Sequence, residues 1–141
     1  MIALQGLIAA IGRILLVAIF LATVLGGYIP KFNGTVEKME GAGIPNAQIM
    51  LIGAIAFLLI GSFSVMLGFK ARIGALLIAV FLCLATYYFH DFWNMNDKPA
   101  EQEQHVIHFL KNLSMLGAMI FIIGNGSGYG SVDRRKVTIV V

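Results

Sequence analysis

Four long apolar stretches, over residues 6–28, 48–68, 73–92 and 106–124, decide what this chain of 141 residues folds into. A helix needs about 20 mainly apolar residues to cross the hydrocarbon core of a bilayer, and each stretch supplies them. Backbone polar groups in lipid must be satisfied within the structure, and helices do this segment by segment. The expected fold is an all-α membrane protein. A four-helix transmembrane bundle occupies residues 1–124, and a Gly-rich, basic tail follows over residues 125–141. Composition agrees: 59% of residues are hydrophobic and 12% charged. A soluble domain carries about 25% charged residues, so this chain has too few to cover a water-facing surface. That excludes a free soluble enzyme, a disordered tail and a disulfide-stapled secreted module. The net charge of +3 comes from ten Lys and Arg scattered along the chain. They form no basic stripe, so nucleic acid is not a partner and the lipid bilayer is. The start of the chain has neither the basic region nor the small-residue cleavage site of a signal peptide, and the first span is expected to be retained.

An even number of spans places both termini on one side, and the distribution of Lys and Arg selects which. Lys70, Arg72, Arg134, Arg135 and Lys136 lie on the terminus side, Lys31, Lys38 and Lys98 on the other. Both termini are therefore expected in the cytoplasm. Gly26-Gly27 and Pro30 are expected to end the first span. Gly43-Ile44-Pro45-Asn46 reads as a turn with Asn46 as the N-cap of the second. Tyr87, Tyr88, Phe89, Phe92 and Trp93 crowd the outer end of the third span, at the depth where amphipathic rings settle. The single cysteine, Cys83, sits in an apolar string and is expected to pack as a small hydrophobe. Alone it forms neither an internal disulfide nor a dithiol pair. Residues 124–130 (GNGSGYG) superficially resemble a phosphate loop, but no strand precedes them and no helix follows. A weak internal repeat relates Arg13-Ile14 and residues 17–21 to Arg72-Ile73 and residues 78–82.

Polar residues inside the spans need a reason, because a charge at the centre of a membrane helix costs about 2.5–3.5 kcal/mol. Arg13 is such an intramembrane charge. Its long side chain is expected to snorkel to the headgroups, with a buried pair to Asp133 as the alternative. The outer ends of the third and fourth spans carry more. His90 and Asp91 close one, while His105, His108, Lys111 and Asn112 open the other. Positions 105, 108 and 112 share one helical face, with 111 beside it. Lys31 closes the first span at a similar depth.

Three readings of this cluster stand side by side. In the first, the groups neutralise and satisfy one another, as lipid requires of any polar group. In the second, they form a pocket for the headgroup of a quinone or similar amphiphile. His108 or His90 donates to a carbonyl, Lys111 stabilises developing negative charge, and Phe92 or Trp93 stacks. The third is a metal site built on the histidines. No span contains the glutamates that di-iron bundles use, so no metal is expected.

Specific strings identify a family resemblance. The run from Leu67 to Leu77 (LGFKARIGALL), Phe89-His90-Asp91-Phe92-Trp93, and His108-Phe109-Leu110-Lys111-Asn112-Leu113 resemble the DoxX family of small bacterial membrane proteins. Gly12-Arg13, Lys31 and Gly43-Ile44-Pro45 fit as well. The resemblance implies a four-helix bundle in the bacterial inner (plasma) membrane. It also implies association with thiosulfate:quinone oxidoreduction, or with complexes that detoxify oxidants or handle thiols. Where many relatives carry a glutamate in the second span, this chain has Phe57-Leu58-Leu59-Ile60-Gly61-Ser62.

The expectation is a membrane component of a redox-linked system. Its candidate ligand-binding residues are His90, Asp91, Phe92, Trp93, His108, Lys111 and Asn112, and a quinone is the candidate cofactor. The alternative is a non-catalytic accessory subunit, packed against other membrane subunits or copies of itself through small residues such as Gly61 and Gly117.

Overall fold

A computed structural model describes residues 1–90 and 99–133. The described chain runs α1 (Ile2–Thr23), a π-helical turn (Val24–Tyr28), α2 (Phe32–Gly41), α3 (Ala47–Leu67), α4 (Ala71–Phe89) and α5 (Pro99–Asn125). Four segments are long and apolar enough to cross a membrane: Ile2–Tyr28, Ala47–Leu67, Ala71–Phe89 and Pro99–Asn125. This is the all-helical four-span bundle the sequence predicts. Asp91, Phe92 and Trp93, the basic residues 134–136 and the apolar residues 137–141 lie outside the described residues.

The spans pack α3 on α4 most extensively, with α5 against α4 and α1 against α3. Association of helices in lipid depends on close packing, because the tails around them are as apolar as the side chains. Gly61 and Gly74 supply it between α3 and α4. A Cβ on Gly61 would lie 2.8 Å from the Gly74 carbonyl oxygen, and one on Gly74 would lie 2.5 Å from Cβ of Ser64. Gly61 is thus committed to the internal packing of the chain and is not a surface for a partner subunit. Gly117, by contrast, is exposed with open space beside it. Val17, Leu58, Val65, Ile78 and Met119 fill the core. Leu15, Ile60, Leu76 and Phe121 point outward, as expected of side chains facing lipid. Cys83 is also exposed, on the outside of α4 and not in the core.

The first span ends at Tyr28, as expected, after passing through Gly26-Gly27. These residues lack a Cβ and accept the wider π-helical turn, in which the Ile29 amide bonds the Val24 carbonyl at 3.0 Å. Pro30 follows and breaks the helix. Residues 43–46 form the expected turn, and the connection between the first two spans also contains α2. It folds because Phe32, Val36 and Met39, spaced four and three apart, reach one apolar cluster with Ile44, Ala47 and Leu51. It ends in a Schellman motif. Gly43, at φ 77°, allows the Ile44 amide to bond the Met39 carbonyl and the Gly43 amide to bond that of Glu40. Asn46 occupies the N-cap position of α3, but its side chain makes no capping bond. At the start of α5, Pro99 is the first helical residue, where its missing amide is harmless, and Glu101 lies in the first turn. The helix therefore begins seven residues before the expected 106.

The end of the bundle where α1 begins and α5 stops is built around Arg13. Its side chain is only 6% exposed and does not snorkel. Nη1 donates to the carbonyls of Ser127 and Tyr129, Nη2 to that of Gly130 at 3.0 Å, and Nε to that of Met66 at 3.4 Å. Nor does it pair with Asp133. That carboxylate accepts the amides of Lys70 at 2.8 Å and Ala71 at 3.1 Å, capping the N-terminus of α4. The guanidinium lies instead among carbonyls at and beyond the C-terminal ends of α3 and α5, where the helix dipoles favour a cation. Gly126, Gly128 and Gly130 all have positive φ, and that backbone turns the loop's carbonyls inward. A phosphate loop presents amides to an anion. This loop presents carbonyls to a cation.

Candidate site between the ends of α4 and α5

The opposite end of the bundle collects the polar residues singled out in the sequence. The last turn of α4 and the second and third turns of α5 face each other, because the two helices are antiparallel neighbours. His90 therefore meets two residues one turn apart on α5. Its ring stacks on His108 with centroids 5.2 Å apart, and packs edge-on against His105 at 5.6 Å. Lys111, one turn further along, places Nζ 3.2 Å from Nδ1 of His108. An ammonium has only protons to donate, so in this contact Nδ1 is the acceptor and the imidazole proton sits on Nε2. Asn112 points into the bundle, 7% exposed, and its amide nitrogen donates to the Thr86 hydroxyl at 3.0 Å.

The structure thus brings together His90, His108, Lys111 and Asn112, with His105 beside them. Asp91, Phe92 and Trp93, which directly follow His90, lie outside the described residues. Lys31 goes elsewhere. Among the described residues, no group of three or more His, Cys, Asp or Glu side chains is arranged to hold a metal ion. Thr86 was not evident as a site residue, since a threonine in an apolar span normally satisfies its own helix. Its role follows only from the facing asparagine.

Two cavities open beside this cluster. The smaller, about 160 Å³, has apolar walls from Phe20, Phe81, Leu82 and Met115, and His90, Lys111 and Asn112 at its polar part. The larger, about 710 Å³, lies under α2 and between α3 and α4. Tyr28, Phe81 and Ala85 line both. Tyr28 is delivered there by the π-helical turn and packs edge-on against Phe81, with centroids 6.4 Å apart. Such turns inside helices recur at functional sites. Neither the π-turn nor α2 leaves a strong mark on the sequence. The signal for α2 is the Phe32, Val36 and Met39 spacing inside an otherwise polar, glycine-bearing connection.

Four apolar spans with a polar cluster at one end define an integral, multi-pass membrane protein. The DoxX family model matches residues 8–91, more than half of the chain. The chain belongs to the DoxX family, as the motifs suggest. It is similar to Inner membrane protein YphA of Escherichia coli (strain K12), 31% identical over 128 residues that cover 89% of this chain and 87% of that protein. Inner membrane protein YqjF of the same organism is 29% identical over 124 residues, covering 88% of each. The Surfeit locus protein 4 homolog of Schizosaccharomyces pombe is 27% identical over 129 residues. That match takes in 89% of this chain but only 36% of the longer yeast protein. No solved structure matches the chain.

Proposed function

We propose that this protein is an inner-membrane component of a redox-linked system, with both termini in the cytoplasm and a quinone-like headgroup held at the outer helix ends. The observation that carries this reading is the amphiphilic lining of the smaller cavity. A quinone headgroup is a flat apolar ring with oxygens at its edge. Phe20, Phe81, Leu82 and Met115 suit the ring, while Lys111 and Asn112 supply donors for an oxygen. When electrons reach the ring, negative charge develops on that oxygen, and a nearby ammonium stabilises it in a medium of low dielectric constant. His108 fixes Lys111 through the 3.2 Å contact, and Thr86 fixes Asn112. Asp91, expected to orient a histidine, and Phe92 and Trp93, expected to wall the site, lie outside the described residues. The chain has no redox-active side-chain pair of its own, so the electrons come from a partner protein. The inner-membrane location is supported by the names of the two bacterial relatives.

Native mass spectrometry of the protein extracted from its own membranes tests this reading. The expected result is a bound mass matching a quinone, lost in Lys111→Met while the protein still accumulates. Stoichiometric association with a large assembly and no small ligand would instead make the chain an accessory subunit.

A further inference from the structure

The larger cavity has a chemistry that the quinone reading does not use. Its interior is apolar, from Leu51, Ala54 and Phe57 on α3 and Val80 and Leu84 on α4. Lys31, the N-cap of α2, and Thr35 and Lys38 within it also line the cavity, spaced four and three apart so that they lie on one side. Thr35 is anchored there, its hydroxyl donating to the Lys31 carbonyl at 2.9 Å. The acids of this segment, Glu37 and Glu40, do not line the cavity. Neither lysine ammonium has an ion-pair or hydrogen-bond partner among the described residues. The result is a half-open apolar cavity lined in part by two exposed lysines without a described partner, on the membrane end where the aromatic residues of α4 gather. A volume of about 710 Å³ lies within the usual range for sites that enclose most of a small ligand.

The geometry points to a binding site for an anionic lipid, with an acyl chain in the cavity and a phosphate or carboxylate headgroup between Lys31 and Lys38. A zwitterionic lipid fits the chamber equally well but brings its own cation to the lysines. The charge pattern therefore selects against it. This site is separate from the quinone pocket, and its cations are not the ones assigned there. The wall of Tyr28 and Phe81 divides the two.

The test uses the full chain in mild detergent, with phosphatidylglycerol, oleate or phosphatidylcholine added in turn and retained lipid read by native mass spectrometry. A lysine close to a membrane surface is worth about fivefold in binding an anionic partner. Phosphatidylglycerol or oleate is expected to be retained over phosphatidylcholine, with the preference falling about fivefold in Lys31→Gln and further in the double variant with Lys38→Gln. Preference for phosphatidylglycerol identifies a phospholipid, and preference for oleate a free fatty acid. Gly53→Leu, which fills the chamber without touching either lysine, is expected to reduce retention of every lipid. Lys70→Gln, at the opposite end, serves as the control and should leave the preference intact. Equal retention of all three lipids, or a preference that survives the double lysine variant, overturns the proposal. Neither result bears on the Lys111-dependent quinone signal, so the two sites stand or fall separately.

Discussion

The two ends of this bundle solve the problem of polar groups in lipid in opposite ways. At the end where α1 begins and α5 stops, described polar side chains hold the chain together. Arg13 meets four backbone carbonyls, Asp133 caps α4, and Arg72 donates to the Gly124 carbonyl at 3.3 Å. Glycine backbones touch there: a Cβ on Gly130 would sit 2.7 Å from the Gly6 carbonyl oxygen. At the other end the polar groups have capacity left over. Lys111 has a single described contact, both α2 lysines lack one, and two cavities adjoin them. The first end is built to hold the fold. Under the proposed function, the second receives a ligand.

The largest effect that would break this contrast belongs to Arg13→Met. It strips the donors from a set of enclosed carbonyls, each costing about 1–3 kcal/mol when left unmet. Thermal unfolding in detergent should show a loss of at least about 3 kcal/mol, with reduced accumulation in the membrane. Wild-type stability in this variant would mean that the carbonyl cage does not hold the tail.

A smaller loss is expected for Gly130→Ala, where positive φ and the close approach to Gly6 combine to cost about 1–3 kcal/mol. Gly117→Ala gives the opposite sign, since this helical glycine has open space beside it and alanine lowers the cost of forming the helix by about 0.5–1 kcal/mol. Comparing the two melting temperatures separates glycine required by contact from glycine that is merely tolerated. Where α4 meets α5, Thr86→Val removes the partner of a buried asparagine and should cost about 1–2 kcal/mol, read by the same unfolding measurement. The smallest stability effect is expected for Lys111→Met, because the side chain is exposed and holds no structural contact beyond His108.

How legible these ends are in the sequence differs for a physical reason. The four spans are plain because twenty apolar residues in a row have few other uses. The convergence of His90 with His105 and His108 also follows from sequence, since a short polar loop makes neighbours of α4 and α5 and a helical face does the rest. The partners of Arg13 do not. They are backbone carbonyls of a glycine-rich loop, and a carbonyl leaves no mark in the residue types. The only trace is the alternation of Gly126, Gly128 and Gly130, a pattern equally suited to binding an anion until the direction of the peptide groups is known. Boundaries fail for a similar reason. Hydropathy reports where lipid begins, whereas α5 starts earlier because Pro99 and Glu101 favour a helix start in water. Asn46 shows the reverse: the right residue at the right position, with a backbone at φ 50° and no capping bond.

The most direct test of the proposed division between an end that holds the fold and an end that binds a ligand is a thermal-shift measurement on three proteins, wild type, Arg13→Met and Lys111→Met, each with and without a short-chain quinone analogue. The wild type should melt higher with the analogue present. Arg13→Met should start lower and still gain on addition, while Lys111→Met should start at the wild-type temperature and gain nothing. If Lys111→Met instead melts early, or gains as much from the analogue as the wild type, the outer cluster is structural and the separation of the two ends is wrong.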